Sequence, residues 1–242
     1  MDLKEAIEAR HSRRSYLPTA LDPAVVEQLQ HLITQYSQEA NLRMELVLDN
    51  GAAFAGLLKS YGMFTGVRHY IGLIYDKDDT ATAERLGYYG ELLVLNAVAL
   101  GLGTCWVGGS FSRASCPFEL TGNQNIISTI TLGNTEPDES AKERLIYNMV
   151  HRNSKSMREM YASDEEVPEW FLSGMHAVHR APSAANRQPV HFEFKEGQAS
   201  AHIEDLIVYY NALDLGIAKC HFEIGAGGGS WDWGNHAVFK KG

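Results

Sequence analysis

The sequence predicts an α+β protein in two unequal parts, the second partly repeating the pattern of the first, and three observations carry that prediction. Segments with apolar residues at helical spacing are interleaved with short β-branched runs bounded by turn residues. An acidic, proline-terminated stretch, Ser163-Asp164-Glu165-Glu166-Val167-Pro168, interrupts the chain. After it, an order of helix, glycine and strand-like run recurs in shortened form. The expected division is therefore 1–162 and 163–242.

The elements follow in order. Residues 2–10 read as a short amphipathic helix with Leu3, Ala6 and Ile7 on one face. Leu21-Asp22-Pro23 opens a second helix, with Asp22 as N-cap and Pro23 at the first helical position. Val26, Leu29, Leu32 and Ile33 supply its apolar face. Met44–Leu48 and His69–Tyr75 read as strands. Thr82–Leu100 is the strongest helix, apolar on so much of its surface that it belongs in the interior; Gly101 and Gly103 stop it. Ile126–Leu132 is a strand closed by Gly133, and Asp138–Asn148 reads equally as loop or helix. In the second half, Trp170–His179 is helical, Val190–Phe194 a strand and His202–Leu215 a helix. Its end, Leu213-Asp214-Leu215-Gly216, parallels Leu100-Gly101-Leu102-Gly103, and Ala185-Asn186 before one strand parallels Ala40-Asn41 before another. Internal duplication explains this, and so does the ordinary recurrence of helix-glycine-strand. The glycine-rich tail at 225–229 lacks the Lys-Ser/Thr of a phosphate loop and reads as a flexible closing loop.

Composition narrows the function. The 242 residues are 45% apolar and 21% charged, ordinary for a globular protein with a sizeable core. A formal charge of −9 opposes nucleic acid or an anionic membrane as partner. The charged N-terminus has no apolar signal-peptide core, and no apolar run approaches the roughly 20 residues of a membrane span. Three cysteines, Cys105, Cys116 and Cys220, argue against a disulfide framework and for a reducing, cytoplasmic setting. Cys220-His221 has no spaced Cys/His companions, so no metal site is expected.

Four segments could carry chemistry. Arg10-His11-Ser12-Arg13-Arg14 concentrates guanidinium forks and a hydroxyl, a donor set suited to a phosphate; a solvated helix end explains it as well. Gly101-Leu102-Gly103-Thr104-Cys105-Trp106-Val107-Gly108-Gly109 lets backbone approach a ligand closely, or is a cap, a core strand and a turn. Ala181-Pro182-Ser183-Ala184-Ala185-Asn186-Arg187-Gln188-Pro189 offers amides that match both edges of a heteroaromatic ring, or is a plain connection. His151-Arg152-Asn153-Ser154-Lys155-Ser156 is a second basic run, or a solvated face.

Taken together, these segments resemble the nitroreductase family of FMN-dependent oxidoreductases. Arg10-His11-Ser12-x-Arg14-x-Tyr16 is similar to its N-terminal R-[RH]-S-x-R-x-[FY] motif. Leu100–Gly109 resembles its G-L-G-x-C-W-[IV]-G segment, and Pro182-Ser183-x-x-Asn186-x-Gln188-Pro189 its P-S-x-x-N-x-Q-P loop. Arg152 and Lys155 match its late basic contacts more loosely. The loop lies far later than in the usual member, where it follows the N-terminal motif; here Ser37-Gln38-Glu39-Ala40-Asn41 holds that early place without the Pro and Gln. Such a shift resembles a single-chain subfamily with fused halves, a pseudo-dimer in which the second half supplies the loop normally given by a partner subunit.

The resemblance implies a nitroreductase-like fold with a mostly antiparallel sheet flanked by helices. It implies FMN, with NADH or NADPH as donor, and ping-pong reduction of a small electron-poor substrate such as a nitroaromatic or quinone. By the same resemblance Arg10 and Ser12, with Arg152 and Lys155, hold the phosphate and ribityl chain, Arg14 lies near the pyrimidine edge, and His11 is a further cofactor-binding residue. Pro182, Ser183, Asn186 and Gln188 bind ring or ribityl, and Val107, Gly108 and Gly109 lie near the hydride-accepting nitrogen. No side chain need act as acid or base. Aligning Gly216 with Gly103 puts His221-Phe222 where Gly108-Gly109 stand, and the second half lacks the Arg-x-Ser-x-Arg motif, so one FMN per chain is expected. The chain would be a monomer or a homodimer. A non-catalytic FMN-binding or sensing protein is the alternative.

Overall fold

The computed structural model describes residues 1–56, 62–77, 79–204 and 209–242. Contacts divide it into two compact units. One comprises Met1, Ala9–Asp79 and Leu93–Met149; the other Asp2–Glu8, Thr80–Leu92 and Val150–Gly242. Compactness thus partitions the chain at other points than the sequence-based division at 162/163: Asp2–Glu8, Thr80–Leu92 and residues 150–162 fall with the C-terminal residues.

The first unit is built on α2 (Pro23–Ala40), β1 (Arg43–Val47), β2 (His69–Asp76), β3 (Gly103–Val107), β4 (Gln124–Gly133) and α4 (Ala141–Val150, all but its last residue). Asp22 caps α2 by accepting from Ala24 N–H at 2.8 Å, with Pro23 following it. Leu29 and Ile33 are buried on its inner face, while Val26 and Leu32 are only partly covered. The sheet is antiparallel throughout, in the order β1-β2-β4-β3. β2 is buried along seven of its eight residues, which is why it reads as a continuous apolar run rather than an alternation. Phe54, Phe64, Tyr70, Cys105, Val107 and Phe111 form the core beside it. The undecided stretch 138–148 contains the start of α4: Glu143, in its first turn, is buried and caps the helix by accepting from Ser140 N–H at 2.8 Å.

The second unit contains α1 (Leu3–Ala9, all but its last residue), the first part of α3 (Thr80–Ala99), β5 (Tyr161–Ser163), α5 (Glu169–Arg180), β6 (His191–Lys195), β7 (Gln198–His202), α6 (Tyr209–Gly225), β8 (Gly229–Trp231) and β9 (Ala237–Lys241). Its sheet runs β5-β6-β7-β9-β8, antiparallel except for the β5–β6 pair. Phe222 lies at the centre of its core, stacked on Phe192 at 5.0 Å and edge-on to Phe171, Trp231 and Phe239.

The two sheets repeat one plan. The succession α2-β1-β2-α3-β3-β4 with strand order β1-β2-β4-β3 reappears as α5-β6-β7-α6-β8-β9 with order β6-β7-β9-β8. Asn41 and Asn186, paired from sequence, both take left-handed backbone, φ 51° and 53°, ahead of the first strand of their copy. The fold is therefore α+β, mostly antiparallel, with two diverged copies.

Four expectations are corrected. His202 ends strand β7, and α6 runs from Tyr209 through Gly216 to Gly225; residues 205–208 of the expected helix lie outside the described residues. Gly216 sits mid-helix because a Cβ there would fall 1.9 Å from the Glu84 carbonyl oxygen of α3, so its glycine marks a helix crossing and not a helix end. His221 and Phe222 consequently belong to a helix and are no counterpart of Gly108-Gly109. The glycine-rich tail is likewise no closing loop: it turns α6 into the β8–β9 hairpin, with Trp231 buried. No helix among the described residues is long and apolar enough to cross a membrane.

Candidate functional site

The first unit holds the N-terminal motif in an extended strand beside β3. Ser12 bridges Thr104 in parallel, and Arg13 N–H donates to the Thr104 carbonyl at 2.8 Å. Extended backbone sends alternate side chains to opposite sides. On one side Arg10 Nη1 reaches Ser12 Oγ at 3.5 Å, and Arg14 Nη1 donates to the Ser12 carbonyl at 2.9 Å. Burial raises the Cys105 thiol pKa, and the charges of Arg14 and Arg10 with a hydrogen bond from Ser12 pull against it. Cys105 is therefore a neutral packing residue that records two cations and a hydroxyl on its side of the strand.

On the other side Arg13 pairs with Glu143 at 3.3 Å and donates to the carbonyls of Glu136 and Asp138 at 2.8 and 3.2 Å. His11 lies 3.7 Å from Glu139. These two residues line a cleft of about 750 Å³ with Leu102, Pro137 and Arg144. The motif's five residues are thus separated: Arg10, Ser12 and Arg14 together, His11 and Arg13 apart from them.

Glu143, which sequence reasoning missed, fastens the strand. Its carboxylate accepts from Arg14 N–H at 2.6 Å and Ser15 N–H at 3.1 Å. Burial alone would raise its pKa; the hydrogen bonds from Arg14 and Ser140 and the Arg13 charge outweigh that and lower it to about 2. Undecided secondary structure at 138–148 hid this role.

The glycine-rich segment divides its work. Gly101, at φ 85°, turns the chain after α3, with its N–H on Val98 O and that of Leu102 on Ala97 O, both at 2.9 Å. Gly103 is required because a Cβ would fall 2.3 Å from Thr135 and 3.0 Å from Arg13. Gly109 differs: it is exposed, and a Cβ there would meet nothing within 4 Å. Val107 is buried with its carbonyl accepting from Ser128 at 3.1 Å, and the Gly108 carbonyl accepts from Arg113 Nη2 at 2.9 Å.

In the second unit the late basic run and the proline-bounded loop come together. Gln188 is buried; its side-chain oxygen accepts from Lys155 N–H at 2.7 Å, and its carbonyl accepts from Lys155 Nζ at 2.9 Å. Ser183 Oγ accepts from Gln188 N–H at 2.9 Å, and Asn186 Nδ2 donates to Ser154 Oγ at 2.8 Å. Ala185, Asn186 and Gln188 all have positive φ, a costly backbone for non-glycine residues. Asp214 of α6 holds the loop's Ala184 N–H at 3.1 Å; burial raises its pKa to about 7 against the pull of that N–H and of Arg187. Pro182 is half-buried ahead of the loop, and Arg152 is exposed.

The first unit thus places two guanidinium groups and a hydroxyl along its N-terminal strand and an open glycine turn after β3, and the second unit holds a strained, amide-bearing loop. The family model described as "Putative TM nitroreductase" matches residues 2–226. The chain belongs to this family, and with it to the oxidoreductases. A "putative nitroreductase" of Thermotoga maritima MSB8 is similar in structure, with TM-score 0.68 and 22% identity, covering 99% of this chain and 92% of its own. A "putative nitroreductase in complex with FMN" from Desulfovibrio desulfuricans reaches TM-score 0.49 at 16% identity over 69% of this chain and 99% of its own. A nitroreductase family protein of Clostridium difficile 630 reaches 0.47 at 18% identity over 69% of this chain and all of its own. No curated protein sequence matches the chain.

Proposed function

We propose that the chain is an FMN-dependent NAD(P)H oxidoreductase that binds one FMN and reduces a small electron-poor substrate such as a nitroaromatic or quinone. The observation that carries the reading is the alternation along 10–14, which gathers Arg10, Ser12 and Arg14 on one side while Glu143 and Glu139 occupy the other. Two guanidinium groups and a hydroxyl fit a phosphate and its ribityl chain, and the open space at Gly109 fits a flat ring laid against backbone. The absence of an Arg-x-Ser-x-Arg motif from the second half supports a single flavin.

When bound, FMN supplies the hydride chemistry. This chain's residues bind and orient it. Arg10 and Ser12 would hold the phosphate end. Arg14 lies toward the pyrimidine edge, where a fixed cation stabilises developing negative charge. Gly109 N–H serves as donor at the ring edge. Within the second unit, Lys155 and Gln188 hold the 182–189 loop in shape.

The test is the visible spectrum of the purified, FMN-loaded protein, followed anaerobically on addition of NADH and then NADPH. Flavin bands that bleach with at least one donor, and return when a nitroaromatic or quinone is added, are the expected result. Bands that persist with both donors would make the protein a binder and not a reductase.

A further inference from the structure

We propose that Arg113 is a positioning residue: by holding the Gly108 carbonyl it sets the peptide between Gly108 and Gly109 so that Gly109 N–H faces the open side of the turn as the donor to bound flavin. This rests on the reading of Gly108-Gly109 as a flavin contact. Arg113 lies on a 3₁₀ turn, Arg113–Ser115, that follows the glycines. Its Nη2 donates to the Gly108 carbonyl at 2.9 Å, and its Nε to the Ile126 carbonyl of β4 at 3.0 Å.

The arginine is itself held in place. Its guanidinium sits 4.7 Å from the centre of the Phe111 ring. Phe111 is buried and stacks on Phe54 at 6.1 Å, and Ser112 N–H donates to the Ala53 carbonyl at 2.8 Å. The cation is therefore presented to the Gly108 carbonyl from a packed base.

A planar trans peptide points its C=O and N–H in opposite directions. With the Gly108 carbonyl turned to Arg113, Gly109 N–H is turned away from it. Gly109 itself is exposed, and a Cβ there would meet nothing within 4 Å. A charge-assisted bond at the carbonyl also polarises the peptide and strengthens its N–H as a donor. Two carbonyls in different directions need the guanidinium fork, which an ammonium does not reproduce.

The experiment titrates FMN into the full chain as wild type, Arg113→Gln and Arg113→Lys. Affinity is read by flavin fluorescence, and the Gly109 amide is followed in ¹H–¹⁵N spectra. The expected result is a downfield shift of the Gly109 amide proton on FMN addition to wild type. That shift is lost in Arg113→Gln, which binds FMN about tenfold or more weakly. Arg113→Lys, kept in case the glutamine variant melts at room temperature, loses most of the shift. A merely structural arginine would lower thermal stability without changing the FMN-dependent shift. An unchanged shift with wild-type affinity in either folded variant overturns the proposal. Wild type that binds FMN with no response at Gly109 overturns it while leaving FMN binding intact. Wild type that does not bind FMN overturns both readings.

Discussion

Gly87 and Gly216 make the same contact in opposite directions. A Cβ on Gly87 would fall 2.1 Å from the Leu213 carbonyl oxygen, and a Cβ on Gly216 would fall 1.9 Å from that of Glu84. Each glycine stands three residues after the carbonyl that the other approaches. One offset relates Glu84 to Leu213 and Gly87 to Gly216. Reciprocal contact of equivalent positions is what a local twofold crossing of these two helix segments produces. Gly87→Ala and Gly216→Ala should each destabilise by more than about 2 kcal/mol, since backbone must move to admit the methyl. The double variant should cost less than the sum, because one displaced crossing admits both. Urea unfolding of the three variants checks this; additivity would argue against a shared crossing.

The same region holds a buried ion pair between Lys219 and Glu84, with the Lys219 amine also donating to the Gly234 carbonyl at 2.9 Å and Gly234 N–H to Glu84 at 2.8 Å. Lys219→Met alone should cost about 3–5 kcal/mol by stranding a buried carboxylate. Lys219→Met with Glu84→Leu should recover much of that loss in thermal unfolding.

Two carboxyls give opposite pH signatures. Glu143 is held at about 2, below its ordinary 4.5. Its stabilisation is present above the unfolded value and is lost as pH falls from about 4.5 through about 2. Glu143→Gln should lose on the order of 3 kcal/mol at neutral pH, and much less near pH 2.

Asp214 is raised to about 7 from its ordinary 3.8. A raised carboxyl disfavours the charged native form, so wild type should lose stability relative to Asp214→Asn as pH climbs from about 4 to about 7, with a constant difference above that. Melting temperatures of both proteins across this range check the sign; a wild type that gains stability relative to Asp214→Asn with rising pH would contradict it.

Alternation along 10–14 separates two neighbours. Arg10→Ala should weaken FMN binding by about 1.5–3 kcal/mol, the loss of a charge-assisted contact. His11→Ala, on the side facing Glu139, should change FMN affinity less than about twofold. Gly109→Val should fold, given the open space around it, and fail to bind FMN. Fluorescence titration distinguishes the three.

Much of the fold was legible because it depends on local signals. Asp22-Pro23 caps α2 as read, and Gly101 ends α3 through a left-handed turn. Gly216 misled because a glycine required by a helix crossing looks in sequence like one required by a helix end; only the Glu84 carbonyl tells them apart. The Arg10, Ser12 and Arg14 grouping was legible as a motif, yet its two-sidedness follows from the Ser12–Thr104 bridge, a long-range pairing that no local pattern announces. Glu143 and Arg113 were invisible for the same reason: their partners, Arg14 N–H and the Gly108 carbonyl, are backbone groups that any residue would offer.

The most direct test is the stoichiometry of FMN binding by isothermal titration calorimetry on the full chain. The account predicts one FMN per chain. No heat of binding, or two equivalents per chain, would contradict it.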